Sequence, residues 1–139
     1  MKYSVPVSRE NVEWVRQVYG AWNERDFEGV LARVDQRHEF RLTGLFPGLK
    51  PVYKGQDGMR EFLETFASIW PDFRVDVERV EDAGERVVGL VRLCGSGLGS
   101  GAPMSIEYAH VFRFERDRAV RTDAYRSWDE ARAAAGVDG

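Results

Sequence analysis

Two residues near the C-terminus have the types and the spacing for proton-transfer chemistry. His110 lies in Met104-Ser-Ile-Glu-Tyr-Ala-His-Val-Phe-Arg-Phe-Glu115, and Asp123 in Ala119-Val-Arg-Thr-Asp-Ala-Tyr125, with Arg116-Asp117-Arg118 between them. The two stretches read as the arms of a long antiparallel hairpin. Ile106, Tyr108, His110, Phe112 and Phe114 share one face of the first arm, and Glu107, Arg113 and Glu115 the other. A titratable ring in the middle of an aromatic, inward-looking row is the anomaly in this pattern. A two-residue turn at Asp117-Arg118 pairs Arg116 with Ala119. It sets Asp123 opposite Phe112 and diagonal to His110, on the same face and roughly 7–8 Å away. A four-residue loop sets the pair directly opposite, whereas a three-residue loop or a bulge puts them on different faces.

If both side chains face one apolar pocket, their chemistry is complementary. Burial destabilises the carboxylate anion, so the Asp123 pKa rises toward neutrality and suits proton abstraction. A neutral His110 imidazole can donate a hydrogen bond to an enolate oxygen as charge develops there. Together they suit removal of a proton beside a carbonyl, or an aldol-type ring closure, with no cofactor.

The elements that must position this pair can be read from periodicity. Ser8 is an expected N-cap, with Asn11 at N3, and Val12, Trp14, Val15, Val18, Tyr19 and Trp22 then recur at helical spacing, predicting a helix over 9–23. Asp26 caps a second, shorter helix over 27–33. His38-Glu-Phe-Arg-Leu42 is a strand, and Thr43 to Lys54, with two prolines and two glycines, is a loop. A third helix starts at Gln56 or Asp57 and carries Met59, Phe62, Leu63, Phe66, Ile69 and Trp70 until Pro71 stops it. The period then becomes two: Phe73, Val75 and Val77 begin a strand, Asp82-Ala-Gly84 turns it, and residues 86–94 return. A glycine-rich connection leads to the hairpin, and residues 129–135 form a terminal helix. Helices segregated from an antiparallel sheet mean an α+β fold, with helices covering one concave face.

Composition narrows the function classes. The 139 residues suit one domain over 1–139, large enough to bury a core without staples. Cys94 is the single cysteine, so no internal disulfide forms and a reducing cytoplasm is expected. No apolar run reaches membrane-spanning length, and the first residues lack the apolar centre of a signal peptide. The net charge is −3, with arginines interleaved among acids, and this excludes the basic face that a nucleic acid requires.

Three stretches together carry a family likeness: Val15-Arg-Gln-Val-Tyr-Gly-Ala-Trp-Asn-Glu-Arg-Asp-Phe-Glu-Gly-Val-Leu31, Tyr53-Lys-Gly-Gln-Asp-Gly-Met-Arg-Glu-Phe62 with Trp70-Pro-Asp-Phe73, and His110 through Tyr125 to Gly136. Their order and spacing resemble the SnoaL-like polyketide cyclases of the nuclear-transport-factor-2-like, ketosteroid-isomerase-like superfamily. The resemblance implies a cone of curved antiparallel sheet around an apolar pocket, and commonly a homodimer through the outer face of the sheet. The steroid isomerase's tyrosine falls at Val18 and its general base near Leu42, so that mechanism does not carry over. The cyclases' histidine on the penultimate strand and acid/base aspartate on the last correspond to His110 and Asp123.

The expected substrate wall begins with Trp14, Val18 and Trp22 on the first helix. Phe46, Phe62, Phe66 and Trp70 are further candidates from the loop and third helix, and Tyr108, Phe112 and Tyr125 from the hairpin. Tyr19 and Tyr108 are expected polar accessories. Gly97-Leu-Gly-Ser-Gly-Ala102 matches a dinucleotide pattern but precedes a strand, so no helix N-terminus awaits a phosphate. Two histidines far apart in sequence argue against zinc. Two function classes follow: a cofactor-free enzyme acting by proton transfer on an apolar carbonyl compound, and a ligand-binding or protein-interaction module of the same fold.

Overall fold

The computed structural model describes residues 7–42, 48–96, 103–116 and 118–137. Helix α1 (Val7–Asn23) buries Val15, Tyr19 and Trp22 at the spacing expected of its apolar stripe. It begins one residue before Ser8, which therefore lies inside the first turn and is not the cap. Arg25 ends the helix in the left-handed region, at φ 59°. Asp26 then accepts a hydrogen bond from the Gly29 amide (2.9 Å) and caps α2 (Phe27–Ala32), as its position predicts.

Strand β1 (Glu39–Arg41) is joined by β2 (Val52–Lys54), within the stretch expected to be loop. Three residues are too few to display an alternation in sequence; Tyr53 is fixed instead by pairing opposite Phe40. Gly55, at φ 66°, turns the chain from β2 directly into α3 (Gly55–Ile69), which buries Met59, Phe62, Leu63 and Phe66. Strands β3 (Arg74–Ala83), β4 (Arg86–Gly95), β5 (Met104–Glu115) and β6 (Arg118–Tyr125) form the expected meander. Ser127 caps α4 (Trp128–Ala134) through the Glu130 amide.

The six strands make one sheet in the order β2-β1-β6-β5-β4-β3. Every neighbouring pair is antiparallel except β1 with β6, which run parallel. The main core lies between α1–α3 and the inner face of the sheet. On the outer face, α4 buries Ala131 and Ala135 against Val88, Ala109 and Val111, so that part of the face is already covered. No helix among the described residues is long and apolar enough to cross a membrane.

One irregularity decides the last strand. The hairpin tip pairs Glu115 with Arg118, and Phe114 with Ala119, but the next pair is Arg113 with Arg121. Val120 is an extra residue, a β-bulge, and it reverses which face the rest of β6 presents. Beyond it, Phe112 pairs with Thr122, His110 with Ala124, and Val111 with Asp123. The turn also falls one residue earlier than the Asp117-Arg118 turn the sequence suggests, with Arg116 at φ 60°.

Asn23 ties α1 to the free edge of the sheet. Its side-chain oxygen accepts from the Val75 amide (2.7 Å) and its nitrogen donates to the Val75 carbonyl (2.6 Å), completing both backbone groups on the unpaired side of β3. Asn23→Ala is expected to lower the unfolding free energy by about 1–3 kcal/mol, because both groups lose their partner. Urea denaturation should show a lower midpoint with an unchanged slope.

Candidate functional site

A cavity of about 50 Å³ lies between the first three helices and the inner face of the sheet. Trp14, Val18 and Trp22 wall it from α1, and Met59, Phe62 and Leu63 from α3. Val30 and Val34 close it near α2, and Phe40 and Phe112 come from the sheet. The polar members of the lining are Tyr19, His38, His110 and Thr122.

His110 is 2% exposed and is ringed by aromatics, with Tyr108 edge-on at 4.9 Å and Phe112 and Phe40 at 5.5 and 5.8 Å. Its Nδ1 lies 2.8 Å from the Tyr19 hydroxyl. Burial raises the Tyr19 pKa well above the ordinary phenol value, so the hydroxyl keeps its proton. That proton has one acceptor among the described residues, His110 Nδ1. The opposite arrangement, with Nδ1–H donating to Tyr19, would strand both the hydroxyl proton and the Nε2 lone pair. Tyr19 therefore donates, Nδ1 accepts, and Nε2 carries the imidazole proton. Nε2 has no partner among the described residues.

Gly89 makes this bond possible. It pairs directly with His110 on β4, and a Cβ there would stand 2.6 Å from the Tyr19 hydroxyl oxygen. A side chain at position 89 and a hydroxyl on Nδ1 are mutually exclusive.

His38, at the entrance to β1, repeats the arrangement. Its Nε2 lies 2.8 Å from the Thr122 hydroxyl, on the strand that runs parallel to β1. The same reasoning makes Thr122 the donor and leaves the proton on Nδ1, which also lacks a partner among the described residues. The Trp22 indole N–H is a third unpartnered group in the lining. Burial holds both histidines neutral, with the pKa of His38 pushed down to about 4 and that of His110 to about 3. Among the described residues the lining side chains thus carry three N–H groups without a partner, all buried in an apolar setting, and no carboxylate.

The expected site residues separate accordingly. Trp14, Val18, Trp22, Phe62, Phe112 and His110 line the cavity. Phe66 and Trp70 do not; Phe66 packs against Trp22 with rings 5.0 Å apart, and Trp70 against Phe66 at 4.9 Å. Tyr108 is buried against His110 without lining the cavity. Phe46 lies outside the described residues. Two expectations are corrected. Asp123 is on the outer face, held by Arg121 through Nε at 2.7 Å and Nη2 at 3.2 Å. Tyr125 is on that face too, packed with α4. The extra residue at Val120 accounts for both.

The sequence reading missed His38 and Thr122. A signal existed: His38, Phe40 and Leu42 alternate with Glu39 and Arg41, which marks the histidine's face as inward. The parallel pairing of β1 with β6, which brings His38 to Thr122, left no mark in the sequence. Among the described residues no three His, Cys, Asp or Glu side chains are arranged to hold a metal ion.

The buried histidines have a measurable consequence. Each takes up protons in the unfolded chain near pH 6.5 but resists them in the folded one down to about 4 and about 3. The unfolded state therefore binds more protons below pH 6.5, and stability falls as the pH drops through that window. The slope approaches about 1.4 kcal/mol per pH unit for each histidine. Urea midpoints from neutrality to mild acid should decline, and His110→Phe should flatten the decline by about half. Gly89→Ala should displace the Tyr19 hydroxyl and cost about 1–3 kcal/mol. The double variant Tyr19→Phe/Gly89→Ala is expected to recover part of that loss, because the displaced oxygen is gone.

The matching family model is the SnoaL-like domain, over residues 15–122. No curated protein sequence matches the chain. Among solved structures, an NTF2-like protein of unknown function from Burkholderia pseudomallei K96243 is 25% identical with a TM-score of 0.75, covering 89% of this chain and 95% of that one. An NTF2-like protein from Burkholderia thailandensis E264 is 21% identical with a TM-score of 0.76, covering 92% and 98%. A protein of ketosteroid isomerase-like fold from Catenulispora acidiphila DSM 44928, solved with trimethylamine, is 14% identical with a TM-score of 0.72, covering 91% and 94%. The cone-like α+β fold, the aromatic cavity behind the first helix and the family match over most of the chain agree: the chain belongs to the SnoaL-like domain family.

Proposed function

We propose that this protein binds a small, mainly apolar compound by a carbonyl or similar acceptor oxygen. The observation that carries this reading is a set of donors without a partner among the described residues: Trp22 Nε1, His38 Nδ1 and His110 Nε2, all buried and all on side chains that line one cavity. A buried donor left without a partner costs about 1–3 kcal/mol, and an acceptor oxygen in the cavity recovers that cost. The walls are aliphatic and aromatic, which suits an apolar body around the oxygen. The cavity of about 50 Å³ holds only a few atoms, so a larger ligand needs a wall side chain to turn.

The catalytic reading of the family shares these donors. Proton abstraction beside a carbonyl develops negative charge on oxygen, and preorganised N–H groups stabilise it. The N–H groups on the lining residues suit this half of the chemistry, but no carboxylate base is among the described lining residues, since Asp123 is on the far side of the sheet, and histidines with depressed pKa values are weak bases. Binding is therefore the better-supported function, and cyclase- or isomerase-type catalysis the second.

Butyrophenone, an aryl ketone without charge, tests both readings. Titration should shift the Trp22 indole N–H resonance, identified with Trp22→Phe, and His110→Phe should weaken binding about tenfold. Binding that is indifferent to His110 and leaves the Trp22 resonance unmoved would overturn the proposal. Exchange of the ketone's α-protons for deuterium at the uncatalysed rate is expected. Acceleration by the protein would favour the catalytic reading.

A further inference from the structure

Trp14 and Val34 belong to two walls at once. They line the buried cavity, and they also line a surface cleft of about 280 Å³ together with Ala32, Arg33, Asp35 and Arg118. Trp14 is half-buried and rests edge-on against Phe112 and Phe114, at 6.0 and 5.4 Å, with no hydrogen bond among the described residues holding its ring. It is thus the panel between the apolar interior and this cleft.

The charges in the cleft do not cancel. Asp35 accepts from Arg118 (3.1 Å) and from the Arg37 side chain (3.3 Å), so its carboxylate is shared by two guanidinium groups. Arg33 donates to the Gly29 carbonyl (2.8 Å) and to the Gln17 side chain (3.4 Å), and makes no ion pair among the described residues. Among the described residues that line it, two guanidinium groups face one carboxylate, so this cleft of a chain with net charge −3 is positive beside the panel. Glu10 and Glu13 line another cleft that shares Trp14.

We propose that the Arg33–Arg118 cleft is the charged end of the ligand site, selecting apolar carbonyl compounds that bear a carboxylate. The proposal rests on the pocket reading above. The ketone end enters past Trp14 to the buried donors, and the carboxylate stays at the surface, where guanidinium groups bind it with paired, directional hydrogen bonds. Leaving the charge outside avoids the cost of burying an anion among neutral donors. Arg33 and Arg118 are then specificity-determining residues.

Three probes with one aryl ketone body separate the pocket from its rim: benzoylpropionate, its methyl ester and butyrophenone. By calorimetry in low salt, benzoylpropionate should bind about tenfold more tightly than the ester. The advantage should shrink between about 50 mM and about 500 mM sodium chloride. Arg33→Gln should remove most of it while leaving butyrophenone affinity unchanged, and Arg118→Gln should act in the same direction. If butyrophenone binds but the acid binds no better than the ester, the rim proposal is wrong and the pocket reading stands. It is equally wrong if the acid's advantage survives both substitutions. If none of the probes binds, the pocket reading falls and takes this one with it.

Discussion

The pairing of β5 with β6 includes one residue more on β6 than on β5, and the identity of the site depends on that insertion. Before Val120 the strand buries Ala119 behind Phe114; after it, Thr122 and Ala124 turn inward and Arg121, Asp123 and Tyr125 turn out. An uninterrupted ladder would put a carboxylate in the cavity and a hydroxyl on the surface. With the bulge, Thr122 meets His38 inside, and the largely buried Asp123 joins a row on the outer face in which Arg41 lies beside Asp123 and Glu39 beside Arg121. Side chains on a strand have only two directions to choose from, so a single inserted residue exchanges one kind of chemistry for another.

The two histidines show how a neutral polar site is held in an apolar interior. Each ring is bonded on one nitrogen to a hydroxyl, and its other nitrogen has no partner among the described residues. A hydroxyl is a suitable partner because it can donate a hydrogen bond to the ring nitrogen without bringing a charge. A carboxylate in the same place would favour imidazolium and raise the pKa. The hydroxyl partners instead leave burial as the dominant influence, and the open nitrogen remains a donor across the physiological range. In the binding reading proposed above, such a site gains stability from a ligand's oxygen that the empty protein lacks.

The helices and the meander were legible because each has a period longer than its ambiguities. The stripe from Val12 to Trp22, the row from Met59 to Phe66 and the alternation through Val75 and Val77 all appear where the residues predict. Asp26 was legible as a cap because the sequence carries its mechanism. The family likeness was legible in the order of loose motifs, and the match over residues 15–122 agrees with it. Three features were not. β2 is too short to have a period. The bulge at Val120 interrupts a run, Arg118-Ala-Val-Arg-Thr-Asp-Ala-Tyr, that reads equally well in either register. The parallel pairing of β1 with β6 joins residues 84 apart, a contact that no local pattern encodes. The polar centre of the candidate site depends on the bulge and the parallel pairing, so its aromatic walls could be read and its polar centre only in part.

The sheet ends in an open edge at β3, and open edges invite other chains to add a strand. Here the start of that edge is already occupied from within. Asn23 mimics a backbone partner for Val75, and Arg25, stacked over Phe73 at 3.9 Å, takes the carbonyls of Phe73 and Pro71. The ladder with β4 shifts register just beyond, between Val77 and Arg79, beside the exposed charges of Glu78 and Arg79. A strand from another molecule would find neither a free run of amides nor a flat surface there. The end of the first helix, whose visible task is to hold the core together, thereby also occupies the start of this edge of the sheet.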